Sequence, residues 1–284
     1  MNHWTLEGSD GQPIFGTTHV PAGEPAGALL ICHGFKGYKD YGLFPHLAEA
    51  AAGAGLMAHR FNFSHSGMTR NVETFERPDL FEKDTWGRQI ADLHAVASAV
   101  MGGELPGEGL GQVWFGHSRG GVTALLAAAR AFAGRGALPV RPVGVATASS
   151  PDRACNLSEA ACEELREEGR LASPSGRTGQ TLHIGGAWLA EIEAKPEAFD
   201  PLAAARVLAC PLLVLHGSED DTVDASAARR LAEAAGDGVA LEIVEGASHT
   251  FNCPNPLPMD EAPPAETQRL IERVTGFAVA RCGG

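Results

Sequence analysis

Short apolar runs of strand length alternate with longer segments of helical periodicity along most of the chain. The candidate strands are residues 26–32, 56–61, 112–116, 143–149, 211–216 and 240–244, and the candidate helices are 43–54, 83–100, 118–133, 225–235 and 266–280. Most of the strand runs are continuously apolar, which indicates strands that are buried on both faces. The alternation predicts an α/β protein in which helices cover both faces of a mostly parallel central sheet.

Two segments depart from this alternation. Residues 4–6 and 13–20 flank a Gly-containing turn and predict a hairpin at the edge of the sheet. Between 152 and 205 the alternation stops. The predicted pieces of this stretch are helices at 158–169 and 188–194 and a Ser/Gly/Thr-rich turn at 173–179. We interpret 152–205 as a small lid inserted above the sheet edge, so that residues 1–284 form a single domain.

The composition excludes several classes of protein. Hydrophobic residues make up 44% of the chain and charged residues 20%, which is enough apolar material for a sizeable core. The formal net charge is −13, from 22 Lys and Arg against 35 Asp and Glu, so the overall field repels phosphate backbones and anionic membranes. We therefore expect neither a nucleic acid nor a membrane as a partner. Gly/Ala-rich tracts at 102–111 and 131–138 predict loops and helices of small residues.

The six cysteines show no C-x-x-C spacing, and Cys32 and Cys210 lie inside apolar strand-like runs, so we expect all six to be reduced. The first residues lack the basic and then apolar pattern of a secretory signal, and nowhere do about 18 apolar residues follow one another. These features predict a cytoplasmic protein. His33 and His216 each precede a glycine, but no ligand lies at a matching spacing, so we expect no metal site.

The pattern G-x-S-x-G occurs at 116–120, between the predicted strand 112–116 and the predicted helix 118–133. In that context the serine lies in a sharp strand-to-helix turn, and the flanking glycines let neighbouring segments approach closely. Its hydroxyl then projects at a helix N-terminus, where backbone N–H groups favour developing negative charge. We predict that Ser118 is a catalytic nucleophile, with an ordinary serine N-cap as the alternative.

A serine nucleophile of this kind needs a base, and the base needs an acid that fixes its tautomer. The turn after strand 211–216 holds several acids, of which we choose Asp220. The neighbouring acids are Glu219, Asp221 and Asp224. We interpret them as solvated acids of the turn and of the helix start. Asp152 stays an alternative, because some serine hydrolases carry the acid one strand earlier.

His249 lies in a loop after the last predicted strand, where a histidine can reach back over the carboxyl edge of the sheet. We predict that His249 is the general base, which takes the hydroxyl proton of Ser118 while Asp220 orients the ring. The alternative is a surface histidine with no chemical role.

Acyl transfer also needs N–H donors aimed at the tetrahedral oxyanion, commonly the amide after the nucleophile and one from an earlier strand's terminal loop. Arg119 and Phe35 occupy these two positions, with a plain glycine-containing turn as the alternative for the second. The candidates for lining the substrate pocket, each with core packing as its alternative, are Phe63, Trp188, Leu189 and Phe251. Three charged residues lie near the predicted mouth of the pocket: Lys36, Lys39 and Arg119. They either attract an acidic acyl group or are solvated loop charges.

Together these features resemble the α/β-hydrolase superfamily, near the small bacterial esterases that include feruloyl-esterase-like and dienelactone-hydrolase-like proteins. The matching segments are His33-Gly34-Phe35, Gly116-His117-Ser118-Arg119-Gly120, the run G-x-x-D-x-x-V at 217–223, and 246–251 around the histidine. The resemblance covers nearly the whole chain. It implies the α/β-hydrolase fold, with Ser118, Asp220 and His249 as the triad in this family's chain order, and the amides of Phe35 and Arg119 as oxyanion donors. Dienelactone hydrolases typically use a cysteine nucleophile, so Ser118 argues against that activity.

We therefore expect a serine hydrolase that cleaves carboxylic esters of small molecules through an acyl-enzyme, with no cofactor. A thioesterase, amidase or peptidase stays an alternative, because the same triad serves every acyl transfer. A catalytically silent homologue that binds a ligand is the alternative from another class of protein.

Overall fold

The computed structural model of the chain describes residues 1–133 and 140–283. Its strands are β1 (Asn2–Glu7), β2 (Pro13–His19), β3 (Gly27–Cys32), β4 (Leu56–Asn62), β5 (Gln112–His117), β6 (Gly144–Ala148), β7 (Arg170–Pro174), β8 (Thr181–Gly185), β9 (Leu212–Gly217) and β10 (Val239–Val244). Its α-helices are α1 (Leu43–Gly53), α2 (Pro78–Glu82), α3 (Trp86–Met101), α4 (Arg119–Phe132), α5 (Glu159–Glu168), α6 (Gly186–Ala194), α7 (Pro201–Arg206), α8 (Ser226–Ala235) and α9 (Ala265–Cys282). Most of the Gly/Ala-rich tract 131–138 lies outside the described residues.

Eight strands form the central sheet in the order β1-β2-β4-β3-β5-β6-β9-β10. The pairs β1–β2 and β2–β4 are antiparallel, and every later pair is parallel. The N-terminal hairpin is therefore an edge of the sheet, as the sequence predicts. Because parallel strands all end at the same edge, the loops that follow β3, β5, β9 and β10 meet there.

Strands β3, β5, β6 and β9 are buried along their whole length, because helices cover both faces of the sheet. Successive residues of β3 point to opposite faces: Leu30 packs in one core cluster with Trp114, whereas Leu29 and Ile31 pack in a second cluster with Phe115. The first cluster includes residues of α3, α4 and α8, and the second includes residues of α1 and α9. The mostly parallel α/β architecture predicted from the apolar runs is confirmed.

The predicted helix 83–100 corresponds to α3. A short helix, α2, precedes α3, which begins at Trp86 instead of Lys83. The hydroxyl of Thr85 accepts a hydrogen bond from the amide of Arg88 at 3.3 Å, and this N-cap defines the start of α3. None of the helices in residues 1–133 and 140–283 combines the length and the apolar character needed to cross a bilayer.

Residues 152–205, here called the insert, contain α5, α6, all of α7 but its last residue, and a two-stranded antiparallel sheet of β7 and β8. The sequence predicted two helices and the turn, but not the hairpin around that turn. Gln180 attaches the hairpin to the body of the protein: its side-chain oxygen accepts from the amide of Phe75 at 2.9 Å, and its side-chain nitrogen donates to the Phe75 carbonyl at 3.0 Å.

Candidate active site

Ser118 occupies the single position between the end of β5 and the start of α4, in a backbone conformation with φ 54° and ψ −123°. Non-glycine residues adopt such a conformation only where the surroundings force it, at a cost of about 1–3 kcal/mol. The surroundings are very close here. A Cβ on Gly116 would overlap the carbonyl oxygen of Gly120, and a Cβ on Gly120 would lie 2.6 Å from the carbonyl oxygen of His33. The two glycines therefore let the strand, the turn and the helix pack closely enough to project the Ser118 hydroxyl.

A continuous chain of hydrogen bonds joins Ser118, His249 and Asp220. The Nε2 atom of His249 lies 3.1 Å from Ser118 Oγ, and its Nδ1 atom lies 2.9 Å and 3.0 Å from the two carboxylate oxygens of Asp220. An ionised carboxylate has no proton to donate, so Nδ1 carries the ring hydrogen and Nε2 presents its lone pair to the serine. In this arrangement His249 can accept the hydroxyl proton.

The carboxylate of Asp220 is fully shielded from solvent and is held by donors on both oxygens. The amides of Thr222 and Val223 each donate to Oδ1 at 2.9 Å. Nε2 of His216 lies 3.1 Å from Oδ2 and 2.8 Å from the Val223 carbonyl oxygen, so its N–H is shared between these two acceptors. Burial by itself raises the pKa of Asp220, but the hydrogen bonds from His216, His249 and the Val223 amide outweigh it and hold that pKa below its ordinary value. Asp220 is therefore ionised at neutral pH.

His117, the last residue of β5, supports the loop that carries His249. Its Nε2 atom donates to the carbonyl oxygen of His249 at 2.8 Å, and the two rings lie 5.0 Å apart. Burial, reinforced by the neighbouring His249, lowers the pKa of His117 to about 3, so this ring is neutral. A neutral donor fixes the His249 backbone without adding a second positive charge beside the serine.

The amides of Phe35 and Arg119 are the two candidates for oxyanion donors. Arg119 begins α4, so its amide has no acceptor within the helix. The loop carrying Phe35 approaches the serine closely, because a Cβ on Gly34 would lie 3.1 Å from the Ser118 Cβ. A hydrogen bond of 3.0 Å from the Gly37 amide to the Gly34 carbonyl closes this loop into a turn.

The side chain of Arg119 points away from the turn and is buried among aromatic rings. Its guanidinium lies 4.7 Å from the centre of the Trp86 ring and 5.7 Å from that of Trp188, and its Nη2 atom lies 3.1 Å from a carboxylate oxygen of Asp84. Burial raises the pKa of Asp84 to about 6, although Arg119 and Gln89 act in the opposite direction. These contacts anchor the first turn of α4.

A cavity of about 220 Å³ opens beside Ser118 and His249. One wall is the loop at 34–37 with Tyr41 and Phe44, and the opposite wall is the tip of the β7–β8 hairpin, residues 175–177. The insert thus contributes directly to the surroundings of the serine. The volume is sufficient for a small organic group.

The four candidates for pocket lining are not among the residues that line this cavity. Phe63 and Phe251 are 1% and 0% exposed and pack in the core, and Leu189 is buried in the same cluster as Phe63. Trp188 packs beside the guanidinium of Arg119. The apolar candidates serve core packing here, whereas the residues that line the cavity come mainly from loops.

The other acids considered for the triad have different surroundings. Asp152 pairs with Arg230. Asp224 accepts a hydrogen bond from the amide of Ser226 at 2.8 Å near the start of α8, and Glu219 and Asp221 are exposed. In the described parts of the chain, no three side chains of His, Cys, Asp or Glu are grouped so as to hold a metal ion.

Sequence reasoning missed His117 and His216 as supports of the site. His216 lies four residues before Asp220, at the end of β9, and its His-Gly pair was considered only as a metal ligand. The signal that could have found it is the spacing, because the turn after a strand end brings residues i and i+4 close together. The hairpin tip at 175–177 carried no comparable signal.

A model of the alpha/beta hydrolase family matches residues 29–267. No curated protein matches the sequence. Among solved structures, Est1E from Butyrivibrio proteoclasticus is similar at 15% identity and a TM-score of 0.70, with 100% of both chains covered. The esterase domain of a Rhodothermus marinus protein is similar at 19% identity and a TM-score of 0.64, with 98% of both chains covered. A monoacylglycerol lipase from Paleococcus ferrophilus is similar at 15% identity and a TM-score of 0.65, covering 94% of this chain and 99% of that chain.

Proposed function

This chain belongs to the alpha/beta hydrolase family, and we propose that within it the chain is a serine carboxylesterase that acts on small-molecule esters. The observation that carries the proposal is the hydrogen-bonded chain from Ser118 through His249 to Asp220, at distances of 3.1 Å and 2.9 Å, beside an open cavity. A serine in strained geometry, with a histidine held in the accepting tautomer, is the arrangement that nucleophilic acyl transfer requires.

In the first step the Ser118 oxygen attacks the ester carbonyl carbon while His249 Nε2 takes the hydroxyl proton. The carbonyl oxygen becomes an oxyanion, and the amides of Phe35 and Arg119 donate hydrogen bonds to it. The buried Asp220 carboxylate stabilises the imidazolium that forms. Collapse of the tetrahedral intermediate breaks the bond to the alcohol oxygen, which takes the proton from His249 and leaves an acyl group on Ser118.

In the second step a water molecule attacks the acyl carbon, and His249 takes one of its protons. The second tetrahedral intermediate releases the Ser118 oxygen, which recovers a proton from His249. The net reaction converts an ester and water into an acid and an alcohol. Every proton is supplied by the residues named here or by water, so the proposal includes no cofactor.

We further propose that residues 1–284 work as one domain, with the insert as a lid above the cavity. The hydrogen bonds of Gln180 to Phe75, and the bond of 2.6 Å from Lys36 Nζ to the Pro174 carbonyl, support this arrangement. A cytoplasmic location is part of the same proposal, and it is supported by six cysteines that are all free thiols. The proposed partner is the ester alone, with neither nucleic acid nor membrane.

Hydrolysis of short p-nitrophenyl esters by the wild type and by Ser118→Ala tests the nucleophile. We expect the substitution to remove about 10⁴-fold or more of the rate. Ser98→Ala, on α3 and away from the cavity, is the matched control and should keep wild-type activity. A fluorophosphonate should label the wild type on the Ser118 peptide and leave Ser118→Ala unlabelled. Full activity or labelling in Ser118→Ala would remove the proposal.

Matched ester, thioester and amide substrates separate the carboxylesterase from the other acyl-transfer enzymes. We expect the ester to give the highest kcat/KM, because the alkoxide leaves without the full protonation that an amine requires. A higher kcat/KM on the thioester or amide would change the assigned reaction while leaving the roles of Ser118, His249 and Asp220 as proposed.

A further inference from the structure

The side chains around the cavity carry an unbalanced charge. Two cationic side chains, Lys36 and Arg177, contribute to its lining, and no Asp or Glu does. This contrasts with the chain as a whole, where 35 acids outnumber 22 bases. A cleft lined by one sign of charge concentrates the electrostatic field on whatever it binds.

Lys36 is held near the cavity by a neutral group. Its Nζ atom donates to the carbonyl oxygen of Pro174, at the end of β7, over 2.6 Å, and it lies 5.3 Å from the centre of the Phe35 ring. Partial burial lowers the pKa of Lys36 from its ordinary value. A carbonyl oxygen orients the ammonium group but leaves its charge uncompensated.

Arg177 is held in the same way. Its Nη1 atom donates to the carbonyl oxygen of Val72 at 2.5 Å, and its guanidinium lies 4.6 Å from the centre of the Tyr38 ring and 5.2 Å from that of Phe75. The planar group is therefore fixed between aromatic faces, with N–H donors to spare. The hydrogen bonds of Gln180 to the Phe75 backbone fix the hairpin that carries it.

Three other partly buried arginines are paired with carboxylates, namely Arg60 with Asp40, Arg119 with Asp84, and Arg230 with Asp152, whereas Arg130 packs over the Phe199 ring. Within residues 1–133 and 140–283, neither Lys36 nor Arg177 forms an ion pair. Two preorganised cations beside a reactive serine, both lacking a carboxylate partner, fit a carboxylate that arrives with the substrate.

We propose that the cavity binds a carboxylate carried by the substrate, with Arg177 and Lys36 as its ligands, so that the enzyme prefers esters that bear a free carboxylate. This inference rests on the proposed esterase function and names its substrate class. Arg177 can present two N–H groups to the carboxylate oxygens, whereas Lys36 acts as a point charge. The carboxylate belongs either to the acyl group or to the alcohol, and both sources use the same two cations.

Two matched pairs of substrates test the preference and distinguish the sources. For the acyl group, p-nitrophenyl hemiglutarate is compared with p-nitrophenyl pentanoate, with the spontaneous rate subtracted. For the alcohol, para-acetoxybenzoate is compared with its methyl ester. We expect kcat/KM to favour the anionic member of at least one pair by about tenfold or more, the effect of one charge-assisted hydrogen bond.

Arg177→Met keeps much of the side-chain volume and removes the charge, so it should reduce the preference several-fold, to about what Lys36 alone contributes. Arg177→Lys should keep part of it. Arg170→Met is the matched control, because Arg170 is an exposed arginine in the same hairpin that does not line the cavity. The wild type alone provides a further check if Arg177→Met is unstable: raising NaCl from about 0.05 M to about 0.5 M should lower the preference through screening.

Equal kcat/KM for anionic and neutral esters, or a preference that is undiminished in Arg177→Met, would overturn the inference while leaving the esterase proposal intact. Calorimetry of monoethyl glutarate and ethyl pentanoate with Ser118→Ala tests the carboxylate site independently of ester hydrolysis. If the wild type hydrolyses no ester but Ser118→Ala binds the anionic ester more tightly in an Arg177-dependent way, the cavity assignment holds and the esterase function fails. Equal binding of both esters refutes the carboxylate site.

Discussion

Substitution of Asp220 by asparagine tests the orientation of the candidate base, because it changes one carboxylate oxygen into an NH₂ group of nearly the same size. In the wild type, Oδ1 accepts from the amides of Thr222 and Val223 at 2.9 Å each. Oδ2 faces His249 Nδ1 at 2.9 Å and His216 Nε2 at 3.1 Å. The two backbone amides cannot turn away, so the asparagine oxygen must stay with them, and its NH₂ group must face the histidines.

Both side-chain positions lie within hydrogen-bond distance of His249 Nδ1, the NH₂ group at 2.9 Å and the oxygen at 3.0 Å, and because an NH₂ group can only donate, pairing with it makes Nδ1 the acceptor. The ring hydrogen moves to Nε2, which points at Ser118 Oγ and no longer has a lone pair to take the hydroxyl proton. Loss of the correct tautomer by the same change in a serine protease costs about 10⁴-fold in kcat, or about 5.5 kcal/mol of transition-state stabilisation. We expect Asp220→Asn to show a loss of this size, with KM changed little because the residue does not line the cavity.

Steady-state hydrolysis of a p-nitrophenyl ester at neutral pH measures this loss. Asp221→Asn is the control, because Asp221 is an exposed acid at the adjacent position and should keep its activity within about twofold. Near-ultraviolet circular dichroism checks that the variant is folded. A folded Asp220→Asn that keeps a tenth or more of the wild-type kcat would refute the assignment of the tautomer and of Asp220 as the orienting acid.

Three further predictions concern packing, support of the acid and pH. Gly120→Ala places a Cβ against the backbone carbonyl of Cys32 and should lower the free energy of unfolding by about 1–3 kcal/mol. Gly276 is exposed in the middle of α9 with open space around it, so Gly276→Ala should raise the free energy of unfolding by about 0.5–1 kcal/mol. Urea titrations measure both changes. His216→Phe removes one donor to the Asp220 carboxylate and should lower kcat/KM by about tenfold, and an unchanged kcat/KM would exclude its supporting role. Since the folded-state pKa of Asp220 lies below its unfolded value of about 3.9, its stabilising contribution is present above that pH and is lost in more acidic solution. The difference in unfolding free energy between wild type and Asp220→Asn should therefore be smaller at about pH 3 than at about pH 5.

The central sheet could be predicted because burial on both faces leaves a strong pattern in the sequence. Residues 26–32 form an apolar run that bounds β3 to within one residue, and 112–116 does the same for β5. The grouping of Ser118, Asp220 and His249 followed from topology, since residues after parallel strands meet at one edge even when about a hundred residues separate them. The parallel strands whose burial produces the apolar pattern are also the strands whose carboxyl ends bring the loops together.

The hairpin of β7 and β8 could not be predicted, because it is short and half exposed. Its first strand alternates exposed and half-buried residues over only five positions, which is too few to separate a strand from a loop. The pocket candidates failed for a related reason. Phe63 and Phe251 follow strands, but the sequence does not indicate whether a ring there turns into the core or out toward the cavity, and the structure places both in the core.

The proposed reactivity and the proposed substrate preference therefore depend on segments under different constraints. The strand-to-helix turn at 116–120 is closely surrounded by backbone, and even one added methyl group at Gly120 meets a neighbouring strand. The hairpin tip at 175–177 belongs to a separate two-stranded sheet, and Gly176 there is exposed with open space around it. Substitutions at the tip can change the charge of the cavity wall with little effect on the central core. Substitutions in the turn at 116–120 disturb both folding and the proposed reaction. It follows that the motif around Ser118 carries information about the reaction, and that the residues at the tip of the insert carry information about the substrate.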